Sequence, residues 1–345
     1  MSRSGEEAVR RDETRYVTVT GRSDDNEVES KDRRLVSPRR ILARASARVA
    51  TLGGSRSRSS NKKTKLTVIE HPSHHFAIAD SMYVVAHPDD SLLFQSPSLV
   101  HSIESKRDVV TVHLSAGDNG LDEGYWLGRE AGIKAAYARM AQVDNDWTSS
   151  TLAIRGHRIH TVSLTARTNV GVVFMRLPDG GFPEGTGTVQ CGGQSLMLLW
   201  QGKKATISAV DRSASYDRQD LIDTLSAMMH QFQPQFIAVQ DYVHAFGHGD
   251  HMDHYAAANF SRAAHKSYES PHDFVGFAGY QTASLEVNVS GAPLAMKQEA
   301  FYTYGGFDSL ACTSADSCSG TPYAQWLQRE YVVGSEPVGV VANAD

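Results

Sequence analysis

The hydrophobic residues of this 345-residue chain form regular patterns only from about residue 66 onward. Short apolar runs there are bounded by polar or turn residues, which is typical of strands buried on both faces of a sheet. They predict strands over residues 81–86, 108–114, 158–164, 171–177 and 236–240. We therefore expect a sheet whose strands are largely covered.

Three further segments repeat apolar residues at the spacing of an amphipathic helix. They cover residues 125–143, 218–232 and 250–265. Asp122 and Glu123 precede the first segment, and Asp250 is the expected N-cap of the third. Strands that alternate with helices predict an α/β fold, with a mostly parallel sheet and helices on both faces. Such sheets bind ligands beyond the carboxyl ends of their strands.

Charge is divided unevenly along the chain. Residues 1–65 contain 17 Lys and Arg against 9 Asp and Glu, which leaves 17 basic and 30 acidic side chains for residues 66–345. We expect residues 1–65 to be a disordered basic extension and residues 66–345 to form the folded domain. Because the folded part is acidic, it is not expected to bind nucleic acid specifically.

No segment contains the ~20 consecutive apolar residues that span a bilayer. The N-terminus also shows no clear secretory signal, so a cytoplasmic and a secreted location both remain open, and the sequence does not indicate the oligomeric state. Cys312 and Cys318 lie in a Ser/Thr/Gly-rich loop, where they form either a local disulfide or two free thiols. Cys191 is expected to be unpaired.

Side chains that can bind a metal stand at the carboxyl ends of two predicted strands. The first strand continues into "AHPDD", which contains His87, Asp89 and Asp90. The strand over residues 236–240 precedes "HGDHMDH", in which His251 and His254 lie three residues apart and would share one helix face. Both groups are therefore predicted on the same rim of the sheet.

Two nitrogen ligands and one oxygen ligand are available from His87, Asp90 and His254. A catalytic zinc takes three protein ligands and keeps a position for water, whose pKa falls to about 7. Asp89 would then be free to accept a proton from that water as the general base. Another divalent transition metal is the alternative to zinc. Either group by itself could be an ordinary turn or helix cap, but their occurrence on one rim favours the metal site.

The run "AHPDD" followed far downstream by "HMDH" resembles the signature of the PIG-L or LmbE-like family of metal-dependent N-acetylglucosaminyl deacetylases. The resemblance covers about residues 78–335 and includes "LSAGDNG", "GRE" and "RLPDGGF" in the expected order. It implies a Rossmann-like fold and removal of the N-acetyl group from an amino sugar. The chain is most similar to larger actinobacterial-type members, some of which act on glycosylated natural products.

For the metal ligands and the base, the resemblance implies the same four residues. It further implies that His251 stabilises the oxyanion or protonates the leaving amine, and that Asp253 orients a histidine. Arg129 and Asp179 match positions that contact sugar hydroxyls in the family. Ser91 is a departure, because the family commonly has an acidic residue there, and the change could alter how the ligands are oriented.

Two other functions are weighed against the deacetylase. One is a metal-dependent hydrolase of another amide or ester of a glycosylated metabolite. The other is an inactive relative that binds carbohydrate, although a binding protein needs no unligated base. The loops around residues 180–202 and 306–323 are expected to shape the substrate pocket, so the sequence does not identify the aglycone.

Overall fold

The computed structural model of the chain describes residues 79–182 and 184–339. The predicted basic extension over residues 1–65 and its boundary with the folded domain lie outside the described residues. In the described part of the chain, no helix is both long enough and apolar enough to cross a membrane.

Ten strands in the described residues form one large sheet and one small hairpin. They are β1 (Ser81–Val85), β2 (Val109–Ser115), β3 (Trp147–Ile154), β4 (His157–Leu164), β5 (Arg167–Leu177), β6 (Thr206–Ser208), β7 (Ser215–Asp217), β8 (Phe236–Val239), β9 (His272–Phe277) and β10 (Val332–Val338). The large sheet has the order β10-β9-β8-β1-β2-β5-β4-β3, and β6 pairs with β7.

The centre of the large sheet is parallel and its flanks are antiparallel. Strands β9, β8, β1, β2 and β5 run parallel to one another. Strands β4 and β3 on one side, and β10 on the other, are antiparallel to their neighbours. The mostly parallel α/β sheet expected from the sequence is thereby confirmed, and its five parallel strands end at one rim.

Nine α-helices and a 3₁₀ helix (Tyr280–Ser284) accompany the strands in the described residues. The helices are α1 (Asp90–Leu93), α2 (Ser98–Glu104), α3 (Glu123–Ala141), α4 (Leu196–Trp200), α5 (Arg218–Phe232), α6 (Met252–His265), α7 (Gly291–Gly305), α8 (Ala315–Cys318) and α9 (Pro322–Trp326). Helices α1, α2, α3 and α7 share a core with one face of the sheet, and α4, α5 and α6 with the other.

Strand β1 shows how the two cores divide. Its residues are all buried, but Met82 and Val84 pack in the core of α5 and α6 while Tyr83 packs in the core of α3 and α7. Successive side chains of a strand point to opposite faces. A continuous apolar run is therefore what a strand covered on both sides requires.

All five strands predicted from apolar runs are present, but β3, β6, β7, β9 and β10 were not predicted. Strands β3 and β10 are largely exposed or half-buried, so they lack a continuous apolar run. Strand β10 also contains Gly334 and Pro337 and lies at the edge of the sheet, where such residues are tolerated.

The three predicted helices are present as well. Helix α5 has the predicted bounds, and α3 begins where Asp122 accepts a hydrogen bond from the backbone of Tyr125. The prediction that Asp250 caps α6 is wrong. The N-cap is His251, whose side chain accepts from the backbone N–H of Asp253. The carboxylate of Asp250 is instead bonded to the ring of His254.

A disulfide joins Cys312 to Cys318, with Cα atoms 5.1 Å apart. It closes the loop that follows α7 and is the first of the two alternatives left open by the sequence. Cys191 is unpaired, as expected.

A buried cation attaches the C-terminal segment to α7. The Nζ of Lys297 is fully buried and donates hydrogen bonds to the carbonyl oxygens of Trp326 at 3.2 Å and Arg329 at 2.7 Å. Burial lowers the pKa of Lys297 to about 7, against the opposing effect of the Glu330 carboxylate. Lys297 thus donates two hydrogen bonds from a buried position that disfavours its charged form.

Lys297→Met should remove a pH dependence of stability. The unfolded chain keeps this lysine protonated up to its ordinary pKa of 10.5, whereas the folded chain releases the proton near pH 7. The free energy of unfolding of the unmodified protein, measured relative to that of the variant, should therefore rise between about pH 7 and pH 10.5. Below about pH 7 the difference between the two proteins should not change with pH. Urea unfolding of both proteins at several pH values measures this, and a difference that stays constant through the window would contradict it.

Candidate active site

Two neighbouring parallel strands deliver the two predicted groups of polar residues. Strand β1 ends at Val85, just before His87 and the start of α1 at Asp90. Strand β8 ends at Val239, and the loop after it leads to α6. Because β1 and β8 are parallel and adjacent, both groups lie on the same rim, as predicted.

The donor atoms of His87, Asp90 and His254 form a small triangle. His87 Nδ1 lies 3.2 Å from His254 Nε2 and 3.2 Å from Asp90 Oδ2, and His254 Nε2 lies 3.0 Å from Asp90 Oδ1. All three side chains are buried. Tetrahedral zinc with bonds of about 2.0–2.2 Å needs its ligand atoms about 3.3 Å apart. The triangle therefore fits a zinc ion.

Two overlapping groups in the same cluster also have the chemistry to hold a metal. Donor atoms of His87, His251 and His254 lie within 4.8 Å of one another, and so do those of His87, Asp179, His251 and Asp253. We favour the triangle because its nitrogen and oxygen atoms lie 3.0 to 3.2 Å apart, whereas His87 Nε2 lies 3.4 Å from Asp253 and 3.7 Å from Asp179. In either case, buried histidines and aspartates that could bind a metal converge at this rim.

Carboxylates hold the outer ring nitrogens of both histidines in the triangle. His254 Nδ1 lies 2.8 Å from Asp250 Oδ1, while His87 Nε2 lies 3.4 Å from Asp253 Oδ2 and 3.7 Å from Asp179 Oδ2. A carboxylate at one nitrogen keeps the proton there and turns the lone pair of the other nitrogen toward a metal. His254 Nδ1 thus has a close carboxylate partner and His87 Nε2 has more distant ones, an arrangement that would leave His254 Nε2 and His87 Nδ1 free to bind a metal.

Asp90 is held by both strands. Its Oδ2 accepts hydrogen bonds from Gln240 Nε2 at 2.9 Å and from the backbone N–H of His87 at 2.6 Å. The Oε1 of Gln240 accepts in turn from the backbone N–H of Ala86 at 2.9 Å. Gln240 thus joins the end of β8 to the end of β1 and fixes the carboxylate between them.

Asp89 has a different partner from Asp90. Its Oδ1 accepts a hydrogen bond of 2.5 Å from Arg129 Nη2, and both side chains are buried. Burial raises the pKa of Asp89, and the guanidinium of Arg129 offsets only part of this effect. A carboxylate with a raised pKa and no role as a ligand is suited to accept a proton.

His251 lies beside the triangle and is 4% exposed. Its Nδ1 accepts a hydrogen bond of 3.1 Å from the backbone N–H of Asp253, so the neutral ring carries its proton on Nε2. The Asp253 carboxylate accepts from the backbone N–H of Gly180 at 2.6 Å and is closer to His87 than to His251. That Asp253 orients a histidine stays a prediction, and His87 is the nearer of these two candidates.

The charges of the cluster favour a bound cation. Burial opposes ionisation of Asp90, but His254 and His87 hold the pKa of its carboxyl well below the usual range. Burial likewise opposes charge on His254, yet its carboxylate neighbours Asp250 and Asp90 raise its pKa to about 10. Burial lowers the pKa of His251 to about 4, and His87 adds to that effect. Carboxylates that stabilise protons on two imidazoles would equally stabilise a divalent metal.

Aromatic rings border the cluster on one side. Phe182 is 66% exposed and its ring centroid lies 6.0 Å from that of His251. The ring of Tyr280 lies 5.1 Å from that of His254 and stacks on Trp326 at 4.6 Å. The loop that begins at Gly180 therefore reaches the site.

The predicted sugar contacts, Arg129 and Asp179, lie in the same cluster but are mostly enclosed. Arg129 is 6% exposed and donates hydrogen bonds to Asp89, to the carbonyl of Gly117 and to Tyr304. Asp179 is 5% exposed and lies beside His87. Contact of either side chain with a sugar hydroxyl stays a prediction.

Ser91 is separate from the triangle. Its hydroxyl bonds to Tyr137 Oη at 2.9 Å, and Tyr137 donates to Thr111 Oγ1 at 3.0 Å. The serine thus joins a buried chain of hydroxyl groups on the α3 side of the sheet, where an acidic side chain would be costly to bury.

Asp250 and Gln240 contact the triangle directly, and the sequence analysis assigned neither of them to the site. The signal for Asp250 was available, since an aspartate four residues before a histidine can face it across one helical turn. The sequence signal for Gln240 was weaker, since it was only a polar side chain at the carboxyl end of a buried strand. Its pairing with Asp90 depends on which strands are neighbours.

A family model described as PIG-L: GlcNAc-PI de-N-acetylase matches residues 82–265, more than half of the chain. This span contains the triangle, Asp89 and His251. No curated protein matches the chain significantly.

Several solved structures are similar at low sequence identity. The zinc-inhibited form of teicoplanin deacetylase Orf2 is 14% identical, with 65% of this chain and 83% of that chain covered and a TM-score of 0.38. N,N'-diacetylchitobiose deacetylase from Pyrococcus horikoshii is 13% identical, with 75% and 84% covered and a TM-score of 0.38. GalB, the 4-carboxy-2-hydroxymuconate hydratase from Pseudomonas putida, is 13% identical, with 72% and 82% covered and a TM-score of 0.39.

The structural similarities are too low to indicate a substrate or a reaction. The family match is more specific, because it extends over both polar groups and the helices that follow them. On that basis, this chain belongs to the PIG-L family and has a deacetylase-type fold.

Proposed function

We propose that the protein is a zinc-dependent deacetylase that removes the N-acetyl group from an N-acetylglucosamine-type amino sugar, including one carried on a glycosylated natural product. The observation that carries the proposal is the pairing of a buried His–Asp–His triangle with Asp89, which has no place in the triangle. Family membership supports the same reaction.

His87, Asp90 and His254 would hold the metal. When bound, zinc would polarise both the attacking water and the acetamide carbonyl. The protein supplies groups around the metal that are already oriented. Asp250 lies against His254 and Asp253 against His87, and Gln240 at the end of β8 donates to the carboxylate of Asp90. Their alignment before substrate binds lowers the cost of reorganisation during the reaction.

Asp89 acts as the general base in this proposal. Arg129 holds its Oδ1, which leaves Oδ2 to accept the proton of the attacking water. The proton is then available for the sugar nitrogen as the carbon–nitrogen bond breaks. Acetate and a free amine leave, so the carboxylate returns to its starting state in each cycle.

His251 is suited to stabilise the oxyanion. Because its Nδ1 is occupied by the backbone N–H of Asp253, its Nε2–H remains as a donor toward the negative oxygen of the tetrahedral intermediate. This arrangement favours hydrogen-bond donation by His251 over the alternative role of protonating the amine. Arg129 and Asp179 are retained as proposed contacts for sugar hydroxyls.

Asp89→Asn and His254→Ala should separate proton transfer from metal binding. Asp89→Asn should bind zinc normally but release acetate from N-acetylglucosamine conjugates at least ~100-fold more slowly, because an amide cannot accept the proton. His254→Ala should lose zinc as well as activity. Metal analysis by mass spectrometry and an acetate-release assay on a panel of conjugates measure both effects.

The outcomes distinguish the alternatives. Near-normal turnover by Asp89→Asn would show that another group is the base. Zinc binding by the unmodified protein without release of acetate or another product from any conjugate would favour a carbohydrate-binding protein. Release of a different acid from an amide or ester substrate would support the broader hydrolase.

Asp250→Asn should weaken zinc affinity about 10–100-fold, because the amide holds the outer nitrogen of His254 less strongly than a carboxylate. Asp241→Asn is a matched control, since Asp241 is also buried and bonds a histidine, His244 Nδ1, at 2.7 Å on the same rim. Competition against a chromophoric chelator measures the affinities. Equal affinities in the two variants would contradict the role given to Asp250.

A further inference from the structure

Arg129 contacts a second carboxylate, that of Asp308, as well as the carboxylate of Asp89. The Nε of Arg129 donates to Tyr304 Oη at 2.6 Å and lies 3.1 Å from Asp308 Oδ2. Tyr304 Oη donates in turn to Asp308 Oδ2 at 2.6 Å. With the bond from Arg129 to Asp89, these contacts form a continuous buried network of four side chains.

The network depends on close packing between α3 and the end of α7. A Cβ atom on Gly132 would lie 2.7 Å from the ring of Tyr304, and one on Gly128 would lie 2.7 Å from the carbonyl oxygen of Phe307. These two glycines flank Arg129 on α3, one helical turn apart. Their lack of side chains lets Tyr304 and Asp308 approach the guanidinium.

Arg129 is fixed on three sides. Besides Tyr304 and Asp89, its Nη1 donates to the carbonyl oxygen of Gly117 at 2.7 Å. A planar guanidinium with bonds in three directions has little freedom to rotate. Its orientation therefore determines the orientation of the carboxylate that it holds.

We infer that Tyr304 and Asp308 are positioning residues for Asp89 that act through Arg129. This inference rests on the proposed function, in which Asp89 must aim one oxygen at the reacting water. Both residues come from the end of α7 and the loop after it, beyond residues 82–265 that match the family. The end of α7 and the loop after it would thus complete the alignment of Asp89 as the base.

The physical reason is geometric. Loss of either the hydroxyl of Tyr304 or the charge of Asp308 removes one of the two contacts that fix the Nε side of Arg129. The guanidinium and the Asp89 carboxylate can then turn together. A displacement of about 1 Å at a reacting group can cost on the order of 100-fold in rate. Substrate affinity should fall less than kcat, because neither Tyr304 nor Asp308 is placed to contact the sugar and Arg129, the proposed sugar contact, keeps its bonds to Gly117 and Asp89.

Tyr304→Phe and Asp308→Asn in the full-length chain test the inference. Each variant should lower kcat about 10–100-fold on N-acetylglucosamine glycosides, with KM changed less than ~2-fold and zinc content unchanged. Tyr83→Phe is the matched control, since it removes the hydroxyl of another fully buried tyrosine, bonded to Ser102 Oγ at 2.9 Å. A rise in KM without a loss of kcat would overturn positioning and indicate a substrate contact.

Coupling to Asp89 separates positioning from a general loss of structure. In an Asp89→Asn background, Tyr304→Phe should cause no further loss of rate, because the group that it aligns has gone. A further loss equal to that seen in the unmodified protein would overturn the inference.

Crystal structures of Tyr304→Phe and the unmodified protein provide a readout that does not depend on activity. We expect the carboxylate of Asp89 and the guanidinium of Arg129 to shift or to occupy more than one conformation in the variant. Unchanged positions for both would refute positioning. If no glycoside is hydrolysed by the unmodified protein, the proposed function fails, while these structures still decide whether Tyr304 and Asp308 orient Asp89.

Discussion

The parallel pairing of β1 with β8 is the constraint on which the candidate site depends. Ser81, Met82 and Tyr83 lie opposite Phe236, Ile237 and Ala238 in register, so the two strands end side by side although their sequences are far apart. This brings His87 to within 3.2 Å of His254, a residue 167 positions later. A shift in register would separate the donor atoms, and the apolar residues buried on both faces of the strands oppose such a shift.

Adjacent aspartates acquire different chemistry from their surroundings. Asp90 faces two histidines and a glutamine, which favour its ionised form and a role as a ligand. Asp89 faces Arg129, whose charge is shared with Asp308, so burial still raises its pKa. When the surroundings shift the pKa values of two carboxyl groups in opposite directions, one group can stay charged while the other exchanges a proton.

The tail of the chain is integrated with the site. Helix α7 places Tyr304 against Arg129, while the buried Lys297 on the same helix binds the carbonyl groups of Trp326, the last residue of α9, and of Arg329. The ring of Trp326 stacks on Tyr280 beside His254. Elements beyond the family match therefore contact both Arg129, the partner of Asp89, and the aromatic side of the cluster.

Local sequence determined strands β1, β2, β4, β5 and β8, three of the four long helices (α3, α5 and α6, but not α7) and the polar groups at the carboxyl ends of β1 and β8. Each depends on short-range features, namely apolar runs, helical spacing and the rule that parallel strands end at one rim. The exposed strands β3 and β10 lack such a pattern. Tertiary structure alone decided that Gln240 holds Asp90 and that Tyr304 and Asp308 reach Asp89 through Arg129. The contacts of Gln240 with Asp90 and of Tyr304 with Arg129 join residues 150 and 175 positions apart, and such pairs are set by strand order and helix packing, which no local pattern encodes.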